Sequence, residues 1–341
     1  MIAEFAYEPR RPYSLALTAE RYARFPEVVD LFDGAAYRRL LFSGRRRALL
    51  TVRQEGSPSR AVLRVSLEGD SDAPAVAALA RRVIRVALGA DTEVRPFYRA
   101  HRDDPVVGAA IRDFPGLRPA GVPSLYEAAL TAILAQQVNL KFAYDIRREL
   151  ALAYGRRARL GGGIRVGFPE PAALAAVTPR TLRRFRLSRT KAAAIHALSR
   201  AFAGGEVRED ELAALSDEAA IERLTKLHGI GRWTAEIALM RGLGRMDIFP
   251  AGDLGVVKYV ARGLLNRAAN AKEAEMRSFA ERWRPHRTLA LVYAYAELNR
   301  RRADAALKGR RAEAALKRRR ADAALKRSRT HAAPRLNSAG K

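Results

Sequence analysis

Between Leu224 and Lys258 the chain reads LTKLHGIGRWTAEIALMRGLGRMDIFPAGDLGVVK, and this stretch restricts the fold more than any other. A short helix must end at the hairpin His228-Gly229-Ile230-Gly231, because two glycines in three residues break a helix and permit a tight turn. A second helix starts near Arg232, and a loop holding Pro250 and Gly252 leads to an acid at Asp253. With no side chains at Gly229 and Gly231, backbone N–H groups can come within hydrogen-bonding distance of a large anion. The second helix turns its positive end toward the same place. The carboxylate of Asp253 then lies within reach of whatever the hairpin grips.

Charge identifies the class of anion. The 341 residues carry a formal net charge of +27 with a sequence pI near 11.2, which implies a polyanionic partner, nucleic acid by default and an anionic membrane surface as the minor alternative. Residues 301–341 supply +11 of this charge and residues 1–300 supply +16, so the folded part is basic by itself. Arginine outnumbers lysine 54 to 9, which suits bidentate phosphate contacts and equally suits a GC-rich genome. Apolar content of 48% supports a buried core. The absence of cysteine excludes disulfides, thiolate nucleophiles, cysteine zinc sites and iron–sulfur clusters. His101, His196, His228, His286 and His331 show no metal-ligand spacing. No signal-peptide pattern opens the chain and no apolar run is long enough to span a bilayer, so a cytoplasmic, nucleoid-associated protein is expected.

The expected fold class is α+β. Runs at 35–44, 45–54 and 59–69 read as three strands, broken at Gly44 and at Gly56-Ser57-Pro58, and 73–88 as a helix with Val76, Leu79, Val83 and Val86 on one face. These make a small antiparallel unit over residues 1–100. Residues 101–300 read as a two-part, all-helical unit. Ser124 and Glu127 have capping-box spacing for a helix reaching Gln136-Gln137; a second helix runs from Asn139 to Ala153 and 156–170 is a loop. Short helices follow at 171–176, 179–185 and 189–203, Ser216 caps the helix entering the hairpin, and helices at 254–265, 271–282 and 286–299 follow Asp253. The tail 301–341 contains the nonapeptides RRADAALKG, RRAEAALKR and RRADAALKR. A nine-residue period puts Leu307, Leu316 and Leu325 on alternating faces, which argues against a coiled coil. Two readings remain: a solvated, partly helical or disordered tail, and a non-specific DNA tether acting through counterion release.

The blocks LTAILAQQVNLKFA (130–143), GIGRWTA (229–235), FPAGDLG (249–255) and ERWRPHRTLA (281–290) together resemble the helix–hairpin–helix DNA glycosylases with a Gly/Pro-rich loop and catalytic Asp. Within them the nearest likeness is the branch acting on 3-methyladenine-type lesions. The likeness covers about residues 1–299 and leaves the tail without a counterpart. It implies a monofunctional enzyme of base-excision repair that needs no cofactor, works as a monomer with no obligate protein partner, and binds double-stranded DNA containing alkylated bases. It also implies a monovalent cation held by backbone carbonyls of the hairpin, with no side-chain metal ligand. Another lesion within the superfamily (uracil, a mismatch or oxidised guanine) and a non-catalytic helix–hairpin–helix DNA-binding protein are the alternatives.

The resemblance assigns roles residue by residue. Asp253 is the catalytic residue: glycosidic cleavage builds positive charge on the sugar, which a fixed carboxylate stabilises while orienting or deprotonating water. Asp253 also stands where an N-cap belongs, and both roles are compatible. Asp247 falls outside the matching position and reads as a solvated loop residue. Trp233 occupies the slot where related bifunctional enzymes carry a Schiff-base lysine, so no lyase activity is expected, and its ring suits stacking on an electron-poor base. Trp233 could equally be a core residue. His286 and Tyr126 complete the expected base pocket, although His286 and Ile237 replace the aromatic residues often found there. Gln136, Gln137, His228, Gly229, Ile230, Gly231, Arg232 and Thr234 are the expected DNA-binding set, with Gln137 nearest the wedge position.

Overall fold

A computed structural model describes residues 2–25, 27–257 and 272–331. Antiparallel strands β1 (Ile2–Tyr7), β2 (Asp30–Phe32), β3 (Ala36–Ser43), β4 (Arg46–Glu55) and β5 (Val62–Gly69) form one sheet in the order β1-β5-β4-β3-β2. The central three are the strands expected from sequence; β1 and β2 are additions. One inner face of the sheet presents Leu50 and Val52 from β4 and Leu63, Val65 and Leu67 from β5 to α1 (Leu15–Ala23) and α2 (Pro74–Arg82). Alternating burial along β5 is the period-2 signature of a sheet with one covered face.

The helices that follow share a second hydrophobic core, running from Val94 to Ala294. They include α3 (Arg95–His101), α4 (Gly108–Asp113), α5 (Leu125–Ala135) and α6 (Leu140–Tyr154). Ser124 caps α5 and Asn139 caps α6 through side-chain oxygens, as their spacing requires. The segment expected as a loop at 156–170 contains a hairpin, β6 (Arg157–Leu160) and β7 (Gly163–Val166). Next come α7 (Pro171–Ala175), α8 (Pro179–Leu182), α9 (Arg189–Ala203), α10 (Glu209–Ala214), α11 (Asp217–Thr225), α12 (Arg232–Ala238), α13 (Glu273–Ala280) and α14 (Arg287–His331). The helix expected at 254–265 lies largely outside the described residues. The nonapeptide repeats fall within α14, and residues 301–306 on it are exposed. No helix among the described residues is long and apolar enough to cross a membrane.

Buried ion pairs join the sheet to the helical core. Arg39 on β3 donates to Asp30 at 2.6 Å and also pairs with Glu127 on α5. Arg147 on α6 pairs with Glu127 at 2.5 Å, with Asp30 at 3.2 Å and with Glu27. Buried charge is tolerated only when paired and hydrogen-bonded in this way. Three carboxylates face two guanidiniums, and burial pushes the Glu127 carboxyl up to about 7.

Candidate active site

The hairpin joins α11 to α12. Leu224, Ile230 and Ala235 are buried beneath it and fix the angle between the two helices. Its two glycines serve different ends. Gly229 has φ +78°, and a Cβ there would stand 2.4 Å from the Cβ of Ala194 on α9, so the fold itself requires glycine. Gly231 is extended (φ −88°, ψ 175°) and caps α12, and a Cβ there would meet nothing within 4 Å. The open space at Gly231 is room for a ligand at the positive end of α12.

Asp253 is half-buried at the end of the Pro250–Gly252 loop. Its Oδ1 accepts from the Gly255 N–H at 2.7 Å and the Val256 N–H at 3.1 Å, so it caps the turn that begins at 254. Oδ2 accepts from Trp233 Nε1 at 2.8 Å. The Tyr295 hydroxyl on α14 lies 3.4 Å from Oδ1. The backbone N–H of Asp253 donates to the Pro250 carbonyl at 2.9 Å. The carboxylate is thus held by its own turn, by α12 and by α14, and three-sided support of this kind preorganises a charged group. The side chain of Trp233 is neither a core filler nor a free stacking platform: its N–H is committed to Asp253. Trp233→Phe removes that donor while keeping a ring; a tenfold to hundredfold slower base release is expected, about the worth of one hydrogen bond to a charged acceptor. Single-turnover assays with abasic-DNA affinity as the control would check it.

The remaining site residues divide into surface and interior. Gln136 donates from Nε2 to the Gly229 carbonyl and to Thr234 Oγ1, both at 3.0 Å, so it ties the end of α5 to the hairpin and does not reach outward. Gln137 is exposed and has φ +54°, a left-handed conformation that a glutamine adopts only when its neighbours force it. His228 is exposed. The guanidinium of Arg232 is paired with Glu218 at 2.5 Å and with Glu236 at 3.1 Å, so its charge is already balanced. Ile230 and Thr234 are buried, which corrects their placement as DNA-facing side chains: what they offer is backbone. Tyr126 is likewise corrected from pocket wall to core. Its hydroxyl bonds Ser199 on α9 at 2.8 Å, its ring packs against Phe202 and Phe168, and burial holds its pKa above the usual phenol value.

His286 is half-buried, and its ring lies 5.9 Å from Phe97 and 6.2 Å from His101. Burial lowers the pKa of both histidines, which disfavours their protonation. His286 Nδ1 and His101 Nε2 are buried without a hydrogen-bond partner. Asp247 is not a solvated loop residue, since it accepts from Arg287 Nε at 2.8 Å and so fixes the start of α14. Among the described residues no His, Asp and Glu cluster could hold a metal ion. The sequence reading missed Tyr295, which carries no local signal, and Arg241, which the four-residue spacing from Trp233 through Ile237 could have found.

Known proteins share this arrangement. Residues 130–285 match the family model described as HhH-GPD superfamily base excision DNA repair protein. A DNA-3-methyladenine glycosylase of Bacillus subtilis is 31% identical over 208 residues, covering 61% of this chain and 68% of the relative. DNA-3-methyladenine glycosylase 2 of Escherichia coli is 31% identical over 182 residues, covering 53% of this chain and 60% of the relative. The solved 3-methyladenine DNA-glycosylase from Archaeoglobus fulgidus superposes with a TM-score of 0.74 at 25% identity, covering 86% of this chain and 98% of that one.

Proposed function

This chain belongs to the HhH-GPD superfamily of base excision DNA repair proteins, and from that premise we propose that it is a monofunctional DNA glycosylase hydrolysing the N-glycosidic bond of alkylated bases of the 3-methyladenine type. The observation that carries this reading is the 2.8 Å bond from Trp233 Nε1 to Asp253 Oδ2, which joins the hairpin helix to the carboxylate.

The hairpin's backbone N–H groups and the positive end of α12 receive a DNA phosphate at the open face of Gly231. The carbonyls of Leu227 and Gly229 each keep a lone pair after accepting from Ile230 and Gln136, so they fit a hard monovalent cation, which would add positive charge beside the phosphate. Gln137, exposed and held in its strained conformation between α5 and α6, fills the gap left by the extruded nucleotide. The extruded base lies against the indole of Trp233. As the C1′–N bond breaks, the base departs with the bonding electron pair and the sugar becomes positive. Asp253 stabilises that charge. A water then bonds to C1′ and its proton passes to the carboxylate and on to solvent. An alkylated purine that is already cationic leaves as a neutral molecule, so no general acid is required. A tryptophan in place of the lysine slot gives no Schiff base, hence no strand cleavage.

The decisive test is incubation with methylated duplex DNA followed by mass identification of the freed bases; intact alkylated bases with no freed product would overturn the reading. Deleting 301–341 tests the tail. As a basic, solvated helix it is expected to raise affinity for undamaged DNA, so the truncated protein binds more weakly with a flatter salt slope and nearly unchanged turnover on short duplexes. Identical salt dependence in the two forms would discredit the tether.

A further inference from the structure

A charged residue next to the pair Trp233–Asp253 has no part in the chemistry above. α12 continues beyond Ala238 as a π turn, Leu239–Leu243, and Arg241 lies inside it. Widened turns of this kind interrupt helices most often at functional sites. Trp233, Ile237 and Arg241 follow at steps of four; each such step in an α-helix drifts by about 40°, and the wider π turn takes up much of the second drift. Trp233 and Arg241 therefore share one face of the element.

The guanidinium of Arg241 is electrostatically coupled to Arg21 and Tyr22 of α1, Tyr144 of α6 and Asp253. Arg21 Nη2 donates to the Tyr144 hydroxyl at 2.7 Å, which closes the far side. Burial pushes Arg241 down to about 10, so it stays charged at neutral pH, while part of its surface remains open. Dense surroundings with an open tip describe the wall of a recess. One of its N–H groups donates to the Ala120 carbonyl at 2.8 Å, and among the described residues it has no ion-pair partner. A guanidinium has five N–H donors and no acceptor, so most of this side chain's donors are uncommitted beside the site.

We propose that Arg241 is a specificity-determining residue that donates to the acceptor edge of the extruded base and so favours purines with a 6-oxo group over 6-amino purines. The proposal rests on the glycosylase reading and names the substrate class of that same site. An arginine fork matches the O6 and N7 acceptors of a 6-oxopurine, whereas a 6-amino group presents N–H donors to it. Two guanidiniums, Arg21 and Arg241, face one carboxylate there, which further disfavours a base carrying its own positive charge.

The test uses the full-length protein on duplexes with a single hypoxanthine and on methylated DNA releasing 3-methyladenine, with single-turnover rates for wild type and Arg241→Met. The ratio of hypoxanthine to 3-methyladenine release is expected to fall by about 10- to 100-fold in the variant, the discrimination one bidentate contact provides. Arg241→Lys keeps a donor for Ala120 and loses the fork; it is expected to give an intermediate ratio, and it carries the test if the methionine variant does not fold. A purely structural role for Arg241 would slow both lesions together, and an unchanged ratio in both variants overturns the proposal. If wild type frees neither base, the glycosylase reading itself has failed, an outcome distinct from an unchanged ratio.

Discussion

Asp253→Asn is expected to bind damaged duplex DNA as the wild type does and to release base about a thousandfold more slowly, a loss of roughly 4 kcal/mol of transition-state stabilisation. Binding survives because the hairpin, the α12 terminus and Gln137 are untouched. Catalysis fails for two reasons. The amide carries no charge to oppose the developing positive sugar. It also has one oxygen where the carboxylate uses two, one for the Gly255 and Val256 N–H groups and the other for Trp233. Either the turn or the indole loses its acceptor, so the side chain is displaced as well as neutralised. Fluorescence anisotropy on lesion-containing duplexes and single-turnover base release measure the two halves separately. Undiminished release would remove Asp253 from the mechanism.

The second large effect concerns the joint between the sheet and the helices. Arg147→Met leaves Glu27, Asp30 and Glu127 facing Arg39 alone, and removing one partner from a buried charge cluster costs about 3–5 kcal/mol. The urea midpoint should fall accordingly. Glu127→Gln separates charge from volume. The folded carboxyl titrates at about 7 against an ordinary value of 4.5, so the folded state holds more protons between those values and its stability declines as pH rises through that window. Above it the buried charge is fully present. The glutamine variant lacks this dependence and should therefore gain stability relative to wild type on going from pH 5.5 to pH 7.5. A constant difference between the two proteins across that range would mean that Glu127 is ionised throughout.

Much of the site was readable in the linear chain because its parts are local. A glycine hairpin, the helix behind it and an acid at the end of a Pro/Gly loop follow one another within a single stretch, and each obeys a short-range rule of turn or cap geometry. The caps at Ser124, Asn139 and Ser216 were legible for the same reason. Strand β1 was not, because the partner that completes it is β5, on the far side of α1 and three strands. The hairpin β6–β7 was hidden by its Gly/Arg composition, which reads as loop unless a pairing partner is known.

The amino-acid sequence by itself determined which backbone would turn, where helices would start, and that an acid would stand beyond an anion-binding hairpin. Only the tertiary structure decided that Trp233 grips Asp253, that Tyr295 and Arg241 stand near it, that Tyr126 belongs to the interior, and that Glu127 meets two arginines from distant segments. The reason is physical. Turn and cap preferences act over a few residues and leave a mark on local composition, whereas a buried hydrogen bond or ion pair between remote segments exists only once the chain has excluded water around both partners.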